Sequence, residues 1–418
     1  MSPRASKLFV LLPVVMFAAC ASSGSEVSVE VNPADSPADD AVHMTVSGLA
    51  AEELASLELR STDARGVRWS SSATFRADER GVLDLDRAAA VSGSYGGTSG
   101  MGLIWSMQPR TRSAAGAYWW GRPTTQPRTF TLRVNVRGKN VASTSFRRRL
   151  TEASIREKVL PLRSNGFSGI FTYPAGGKRR PAILRLGGSE GGVFRSLDDA
   201  QLAGRGYPVL ALAYFGEPGL SPTLFDVPLE YFSRALTWLA RRPEVDPTRI
   251  AAFGGSRGSE AALLLGVHYP TLVHAVVATV PSNVALCSFP GCTGPAWTLR
   301  GHPLPFTSEF DNPRPSDQPA AVIPVERIQG PILLVCGGAD QIWNSCAFSR
   351  AISARLKARG HRFGHRLYAF PGAGHSVGSL VPYQPRVAED PTTFDDEQRA
   401  RAIVWPRLLH FLSTWRPE

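Results

Sequence analysis

The sequence predicts an all-β region followed by a mostly parallel α/β sheet with helices on both faces. Short β-rich pieces separated by turn residues occupy about 27–136, whereas from about 166 onward apolar strands alternate with amphipathic helices. The chain has 418 residues, more than one hydrophobic core normally supports, and 43% of them are hydrophobic. We therefore expect two folded domains, at 41–150 and 160–418, and not a disordered chain.

Residues 1–19 are typical of a cleaved export signal. Arg4 and Lys7 precede an apolar run at 8–18, which is too short to span a bilayer, whose core needs about 20 apolar residues. Residues 17–20, Phe-Ala-Ala-Cys, resemble a bacterial lipobox, so we expect Cys20 to be lipidated. The expected location is a bacterial cell envelope, with the lipid anchoring the chain to a membrane that faces the periplasm or the exterior. An ordinary secretory signal with an incidental cysteine is the alternative.

Residues 20–40 are expected to form a flexible tether, because they are rich in Ser, Ala, Pro, Asp and Glu. The four cysteines that follow are an even set in a chain expected in an oxidising compartment, and they allow three pairings. Cys287 and Cys292 flank a turn-forming sequence at 288–291, which favours a disulfide between these two. A zinc site is not expected, since neither spacing matches a ligand pair and no histidine is adjacent.

The all-β region is expected to be an immunoglobulin-like sandwich of about a hundred residues. Its candidate strands are 27–31, 42–46, 57–61, 72–76 and 129–136, and strict alternation at 129–134 places apolar side chains on one face. The glycine-rich stretch 93–100 predicts a loop. It is not a phosphate cradle, because no Lys-Ser/Thr pair follows it and no βαβ unit surrounds it.

The second region repeats an apolar strand followed by a helix. The border between the regions should fall near 137–165. The candidate strands are 182–186, 209–214, 250–253, 273–280, 332–336 and 366–370, and the candidate helices are 229–241, 256–268, 345–359 and 397–415.

The strongest chemical signal is residues 254–258, Gly-Gly-Ser-Arg-Gly, a G-x-S-x-G sequence. It follows the apolar strand at 249–253 and precedes a predicted helix, so Ser256 would lie on a strained strand-to-helix turn that the glycines permit. Its hydroxyl would project from the carboxyl edge of the sheet, and the amide of Arg257 would face a developing oxyanion. This context favours the α/β-hydrolase class, with Ser256 as the nucleophile.

A serine nucleophile of this class needs an acid and then a histidine, in that chain order. Residues 331–340 form an apolar strand that runs into a turn ending in Asp340, and 368–375 form a strand that runs into a glycine turn ending in His375. A lone Asp after a strand is typically a turn residue, but here order and context agree. We expect Asp340 to orient His375 and His375 to act as the general base.

The second half of an oxyanion hole should come from a loop after an early strand. The glycine-rich loop after the strand at 182–186 supplies candidates in the backbone amides of Gly188 and Ser189; a plain turn is the alternative. No metal and no organic cofactor is required by this chemistry. The formal charge of +11 is diffuse and lacks an aromatic-interleaved basic stripe, so no nucleic-acid partner is expected.

The chain resembles the acyl-CoA thioesterase and bile acid-CoA:amino acid N-acyltransferase (BAAT) family over nearly its whole mature length. The resemblance is carried by seven segments, at 75–78 (Phe-Arg-Ala-Asp), 81–85 (Gly-Val-Leu-Asp-Leu), 101–107 (Met-Gly-Leu-Ile-Trp-Ser-Met), 210–214 (Leu-Ala-Leu-Ala-Tyr), 229–232 (Leu-Glu-Tyr-Phe), 323–334 (Ile-Pro-Val-Glu-Arg-Ile-Gln-Gly-Pro-Ile-Leu-Leu) and 371–375 (Pro-Gly-Ala-Gly-His).

The resemblance implies a β-sandwich before an α/β-hydrolase domain, acyl thioester or ester substrates, and Ser256, Asp340 and His375 as nucleophile, acid and base. Relatives that transfer the acyl group to an amine carry cysteine at the position of Ser256, so serine implies hydrolysis. The chain departs from the family after His375, where 376–383 is longer and has one proline. Coenzyme A is a cytosolic carrier, so an exported enzyme would rarely meet its thioesters, and the substrate class does not follow from the resemblance alone.

Two further hypotheses remain open at this point. The chain could be an acyltransferase that passes the acyl group to an amine or alcohol, or a catalytically silent lipoprotein whose sandwich binds a partner in the envelope. The sequence does not specify the acyl chain, the leaving group or the oligomeric state.

Overall fold

Mostly antiparallel strands fill the first part of the chain in the computed structural model, which describes residues 26–111, 118–121, 125–176, 178–193, 197–387 and 390–415. The elements of this part are β1 (Ser28–Asn32), β2 (Asp35–Pro37), β3 (His43–Ser47), β4 (Leu54–Thr62), β5 (Arg68–Arg76), β6 (Leu83–Asp84), β7 (Ala89–Ala90), β8 (Ser92–Gly93), β9 (Gly97–Thr98), α1 (Gly102–Trp105), β10 (Gln108–Pro109), β11 (Arg128–Val136) and β12 (Lys139–Arg149).

These strands form two principal sheets over one core. A three-stranded sheet has the order β1-β3-β6, and a seven-stranded sheet has the order β10-β5-β4-β11-β12-β2, with β8 paired to β5. The alternation predicted at 129–134 is observed, because Phe130, Leu132 and Val134 are buried while the residues between them face outward. The Phe130 ring stacks on Phe146 of the neighbouring strand, at 5.5 Å between centroids.

The tether expected over 20–40 is wrong for residues 26–40. Strand β1 pairs with β3, strand β2 pairs with β12, and Ala38 is fully buried. Asp39 and Asp40 form ion pairs with Arg205 from the second part of the chain. The valines at 27, 29 and 31 alternate as they would in a strand. Composition alone assigns Asp39 and Asp40 to a tether, but their partner is distant in the sequence. Residues 20–25 lie outside the described residues.

The second part of the chain is built on a mostly parallel sheet. Its elements are β13 (Ile155–Leu160), α2 (Leu162–Asn165), β14 (Ser168–Pro174), β15 (Arg180–Leu186), α3 (Leu197–Gly204), β16 (Val209–Ala213), β17 (Val227–Pro228), α4 (Leu229–Ala240), β18 (Val245–Gly255), α5 (Arg257–His268), β19 (Ala275–Thr279), β20 (Trp297–Leu299), β21 (His302–Pro303), β22 (Ile332–Gly337), α6 (Ser345–Ala358), β23 (His365–Phe370), α7 (Phe394–Thr414) and three 3₁₀ turns at Pro319–Ala321, Val325–Arg327 and His375–Gly378.

The eight strands of this sheet have the order β13-β14-β16-β15-β18-β19-β22-β23, and β14 runs against its neighbours. Side chains alternate between two cores: Ile183 belongs to the core that includes Val404 of α7, and Leu184 belongs to the core that includes Leu263 of α5. Helices therefore cover both faces, as the apolar strands predict. No helix in the described ranges combines the length and apolarity needed to cross a membrane.

The second part begins earlier than the expected 160, because Ile155–Leu160 hydrogen-bonds along β14 and does not extend β12. The change from one sheet to the other falls at residues 150–154. A polar strand at the edge of a sheet, here with one fully buried side chain, Leu160, lacks the apolar signal that marks the inner strands.

Candidate active site

Ser256 lies on the turn between β18 and α5, at the carboxyl edge of the eight-stranded sheet. Its backbone has φ 54° and ψ −126°, a left-handed conformation that is strained for any residue with a side chain. A Cβ at Gly254 would overlap the carbonyl of Gly258, and a Cβ at Gly258 would overlap the carbonyl of Gly187. The two glycines of the G-x-S-x-G sequence are thus needed where strand, turn and helix crowd together.

Asp340 and His375 meet at the same edge. The Nδ1 atom of His375 lies 2.9 Å from each carboxylate oxygen of Asp340, whose side chain is 1% exposed. The amides of Ile342 and Trp343 donate to the same carboxylate, at 3.0 and 3.3 Å, and fix its orientation. The edge of Trp343 also packs against the imidazole, with 5.7 Å between ring centroids. The histidine is therefore held by both a hydrogen bond and a ring contact.

Thr279, at the end of β19, links the turn that carries Ser256 to the turn that carries His375. Its carbonyl accepts from the amide of Ser256 at 3.0 Å, and its hydroxyl donates to the carbonyl of Gly378 at 2.8 Å. The Ser256 hydroxyl makes no hydrogen bond to His375 within the described part of the chain; catalytic hydrogen bonds often tighten only when substrate binds. Ser256, Asp340 and His375 are thus brought to one edge, as the chain order predicts.

Arg257 is the first residue of helix α5, directly after Ser256, so its amide belongs to the amino end of the helix. Its fully buried guanidinium donates to the carbonyls of Leu286 and Cys287, at 3.1 and 2.9 Å, and pairs with Glu260 at 3.0 Å. Burial raises the pKa of Glu260, although Arg257 and a hydrogen bond from Trp297 oppose that rise. The sequence gives no sign of this network, because an Arg after the serine reads as a surface residue.

The loop after β15, residues 187–192, carries Gly188 and Ser189 and is called the Gly188 loop below. The amide of Gly188 donates to the carboxylate of Glu190 at 2.9 Å. A Cβ placed on Gly188 would lie 3.1 Å from the Cβ of Ser256 and 3.0 Å from Glu190, so this loop faces the nucleophile. The structure therefore places the predicted loop next to Ser256. Of the two candidate amides, that of Gly188 already donates to Glu190.

Buried charged side chains hold the segment 376–383, which follows His375, in place. Asp198 accepts hydrogen bonds from the amides of Leu380 and Val381, at 3.3 and 3.2 Å, and pairs with Arg185 of β15. On the other side, the guanidinium of Arg401 donates to the carbonyls at 376 and 379. The extra length at 376–383 is thus a fixed segment that links the histidine turn to the strand before the Gly188 loop.

All four cysteines beyond Cys20 form disulfides. Cys287 is bonded to Cys292, the pair favoured by the sequence, and Cys336 is bonded to Cys346. The first pair lies beside the buried Arg257, and the second encloses the turn that carries Asp340. Cys20, the expected lipidation site, lies outside the described residues.

A cavity of about 590 Å³ lies beside the Gly188 loop, and its lining includes Arg163, Val193 and Glu217. None of the three predicted catalytic side chains lines it. Within the described ranges, no group of three or more His, Cys, Asp or Glu side chains is placed to hold a metal ion.

Comparison with known proteins identifies two family models along the chain. Residues 39–161 match the model "Acyl-CoA thioester hydrolase/BAAT N-terminal region", and residues 227–291 and 298–411 match "BAAT / Acyl-CoA thioester hydrolase C terminal". Acyl-coenzyme A thioesterase 6 of Mus musculus is 30% identical over 362 residues, covering 83% of this chain and 84% of that protein. The mitochondrial acyl-coenzyme A thioesterase 2 of Homo sapiens is 27% identical over 402 residues, covering 89% and 81%.

Among solved structures, a putative dienelactone hydrolase from Klebsiella pneumoniae covers 62% of this chain and 99% of its own, with a TM-score of 0.42 and 18% identity. A puromycin-hydrolyzing peptidase from Mycobacterium tuberculosis covers 84% of this chain and 52% of its own, with a TM-score of 0.43 and 15% identity.

Proposed function

The chain belongs to the acyl-CoA thioester hydrolase/BAAT family, and from this premise we propose that it hydrolyses acyl thioesters or carboxylic esters with Ser256 as the nucleophile. The observation that carries the proposal is the 2.9 Å contact between His375 and the buried carboxylate of Asp340, at the sheet edge where the strained Ser256 turn lies. A buried acid that fixes a histidine next to a serine is the arrangement that acyl transfer to serine requires.

The reaction divides into acylation and deacylation. Because Asp340 accepts from Nδ1–H of His375, Nε2 is the atom left to take the proton of Ser256 as its oxygen attacks the carbonyl carbon. His375 then gives that proton to the departing thiolate or alkoxide, and the acyl group remains on Ser256. Water attacks the acyl-enzyme in the same way, releasing the acid. The backbone amides of Arg257 and the Gly188 loop would bind the oxyanion of both intermediates.

Hydrolysis is favoured over transfer by the nucleophile itself, since the amine-transferring relatives in this family carry cysteine at the position of Ser256.

A fluorophosphonate probe tests the proposal directly. We expect wild-type protein to take up one label per chain on Ser256, and Ser256→Ala to take up none. With a slowly deacylating nitrophenyl ester, wild-type protein should release a burst of nitrophenol equal to the protein concentration. Hydrolysis that survives Ser256→Ala would refute the mechanism, and amide as the dominant product with added glycine or taurine would replace hydrolase with transferase.

We also propose that the protein is exported and anchored by a lipid on Cys20. The support is the charged, apolar and small-residue order of 1–20, together with two disulfides, which persist in oxidising compartments. Cys20→Ala should abolish incorporation of radiolabelled palmitate into the chain. Label that persists in this variant would overturn the anchor.

The domain division is a further proposal. We assign the strands up to β12 to an immunoglobulin-like sandwich and the chain from β13 onward to the catalytic domain. Two sheets that share one core, with a change of sheet at 150–154, support this division. Limited digestion with a nonspecific protease should cut first at 152–154 if the division is correct; a first cut inside β11 or β12 would contradict it.

A further inference from the structure

The hydroxyl of Tyr214 lies directly behind the Gly188 loop. It donates to the carbonyl oxygens of Gly187 and Gly188, at 2.7 and 2.8 Å. Tyr214 follows β16 and is 4% exposed, and burial raises the pKa of its hydroxyl well above the ordinary value. The group therefore stays protonated, and its one proton is shared between two carbonyls of neighbouring peptide groups.

These two contacts fix the direction of two amides. In a trans peptide the C=O and N–H bonds point in opposite directions. Because Tyr214 draws the carbonyls of Gly187 and Gly188 toward itself, the N–H groups of Gly188 and Ser189 both point away from Tyr214. Two successive amides that point the same way form a concave site for an anion.

The amide of Gly188 shows where that concave site lies. It donates to the Glu190 carboxylate at 2.9 Å, on the side where a Gly188 Cβ would also approach the Cβ of Ser256. A carboxylate oxygen has the charge and shape of an oxyanion, so the site already holds an anion of the right kind next to the nucleophile. Within the part of the chain that the structure describes, no acceptor takes the amide of Ser189.

We propose that Tyr214 is a positioning residue for the oxyanion hole, and that it aims the Ser189 amide at the oxyanion while Glu190 holds the Gly188 amide. The proposal rests on the function proposed above and specifies which amide completes the hole with Arg257. Tyr214 does not touch the substrate; it acts through the peptide group it holds.

Tyr214→Phe tests the proposal, because it removes the hydroxyl and keeps the ring. We expect kcat/KM for a nitrophenyl ester to fall roughly ten- to a hundred-fold, less than for the loss of a whole oxyanion donor, with most of the fall in kcat. The matched control is Tyr231→Phe. Tyr231 is also buried, and its hydroxyl donates to the carbonyl of Ala213 at 2.6 Å and accepts from the amide of Ser168 at 2.9 Å. This variant should keep wild-type kcat.

A tetrahedral inhibitor separates positioning from general damage. A trifluoromethyl ketone that carries the acyl chain of the test ester forms an oxyanion on Ser256, so its Ki in Tyr214→Phe should rise by the same factor as KM/kcat. Replacement of Tyr214 by 4-aminophenylalanine, which keeps N–H donors at the same place, should restore activity to within about three-fold of wild type. Unchanged Ki for the ketone, or no rescue, would overturn the proposal.

A second variant keeps the test open should Tyr214→Phe fail to fold. Ser189→Pro removes the N–H that the proposal assigns to the oxyanion, while it also fixes φ at this position, and we expect kcat to fall roughly 10²- to 10³-fold. Wild-type kcat in this variant would show that Ser189 is not the donor. Failure of the general mechanism is distinguishable, because it would appear as absent fluorophosphonate labelling of the wild-type protein.

Discussion

The seven-stranded and eight-stranded sheets use their two faces differently. Strands β4 and β11 alternate buried and outward-facing residues, whereas β16, β19 and β22 are buried at every position. A sheet with helices on both faces has no free face for a ligand, so its chemistry is confined to the ends of its strands. Ser256, Asp340 and His375 all follow such ends. The first sheet therefore keeps an outward-facing side along its strands, whereas the second sheet can present side chains to a ligand only at its edge.

The largest expected effect lies at that edge. His375→Ala should lower kcat roughly 10⁴-fold or more, and the Ser256→Ala/His375→Ala double variant should fall little further, because the two side chains act as one unit. Asp340→Asn should also be severe, since an asparagine favours the wrong tautomer of His375. Steady-state kinetics and urea unfolding of each variant check this. Additive losses in kcat would show that the side chains act separately.

A substitution in the core of the first sheet should lower stability and leave activity unchanged. Phe130→Ala removes a fully buried ring and should lower the free energy of unfolding by about 3–5 kcal/mol. Activity per fluorophosphonate-reactive chain should stay at the wild-type value, because the aromatic neighbours of Phe130 are Tyr118, Trp120 and Phe146, all in the first part of the chain. A fall in kcat comparable to that of His375→Ala would break the comparison and indicate coupling between the sheets.

A smaller effect on the free energy of unfolding, which depends on pH, is expected at Asp63, the residue after β4. Burial alone would raise the pKa of Asp63, but hydrogen bonds from Arg65 and from the amides of Val67 and Trp119 outweigh it and lower the pKa. The ionised carboxylate therefore stabilises the fold above the unfolded pKa of about 3.9, and this contribution is lost as pH falls through the lower folded value.

Asp63→Asn should thus destabilise the protein by about 1 kcal/mol at neutral pH and by less near pH 3. Urea unfolding at both pH values measures the difference. If the difference in free energy of unfolding between variant and wild type grew toward low pH, the direction of the pKa change derived for Asp63 would be wrong.

The smallest effect should come from the outward face of the first sheet. Thr129 is exposed and alternates with the buried Phe130, and valine keeps its branched shape. Thr129→Val should change the free energy of unfolding by no more than about 0.5 kcal/mol. A loss approaching that of Phe130→Ala would mean that this face is covered in the working protein, which urea unfolding of the purified chain would reveal.

The sequence predicts the parts of this molecule that depend on neighbours along the chain. Alternation at 129–134 specifies a half-buried strand, and the strand-then-glycine contexts of Asp340 and His375 place both at one edge. Tyr214 could not be recognised in this way, because a tyrosine at the end of an apolar strand has the same pattern whether it fills a core or holds a loop.

The predictions that were wrong or missing concern residues whose partners are distant in the sequence or depend on a loop conformation. The acidic residues at 39 and 40 suit a tether by composition, yet their partner Arg205 lies more than 160 residues away. Ten residues separate Cys336 from Cys346, and the glycine turn between them predicts the position of Asp340 but not the approach of the two sulfur atoms. The Glu190 contact with the Gly188 amide depends on a loop conformation that glycine content permits without specifying.

The bond between Cys336 and Cys346 has a consequence for when the protein becomes competent. Cys336 belongs to β22 and Cys346 to the first turn of α6, so the disulfide closes the segment that carries Asp340 into a covalent ring. A chain retained where thiols stay reduced would present the same acid on an open segment. If the protein is exported as proposed above, this ring would close only after synthesis, so the Asp340 segment would be fixed beside His375 late in maturation.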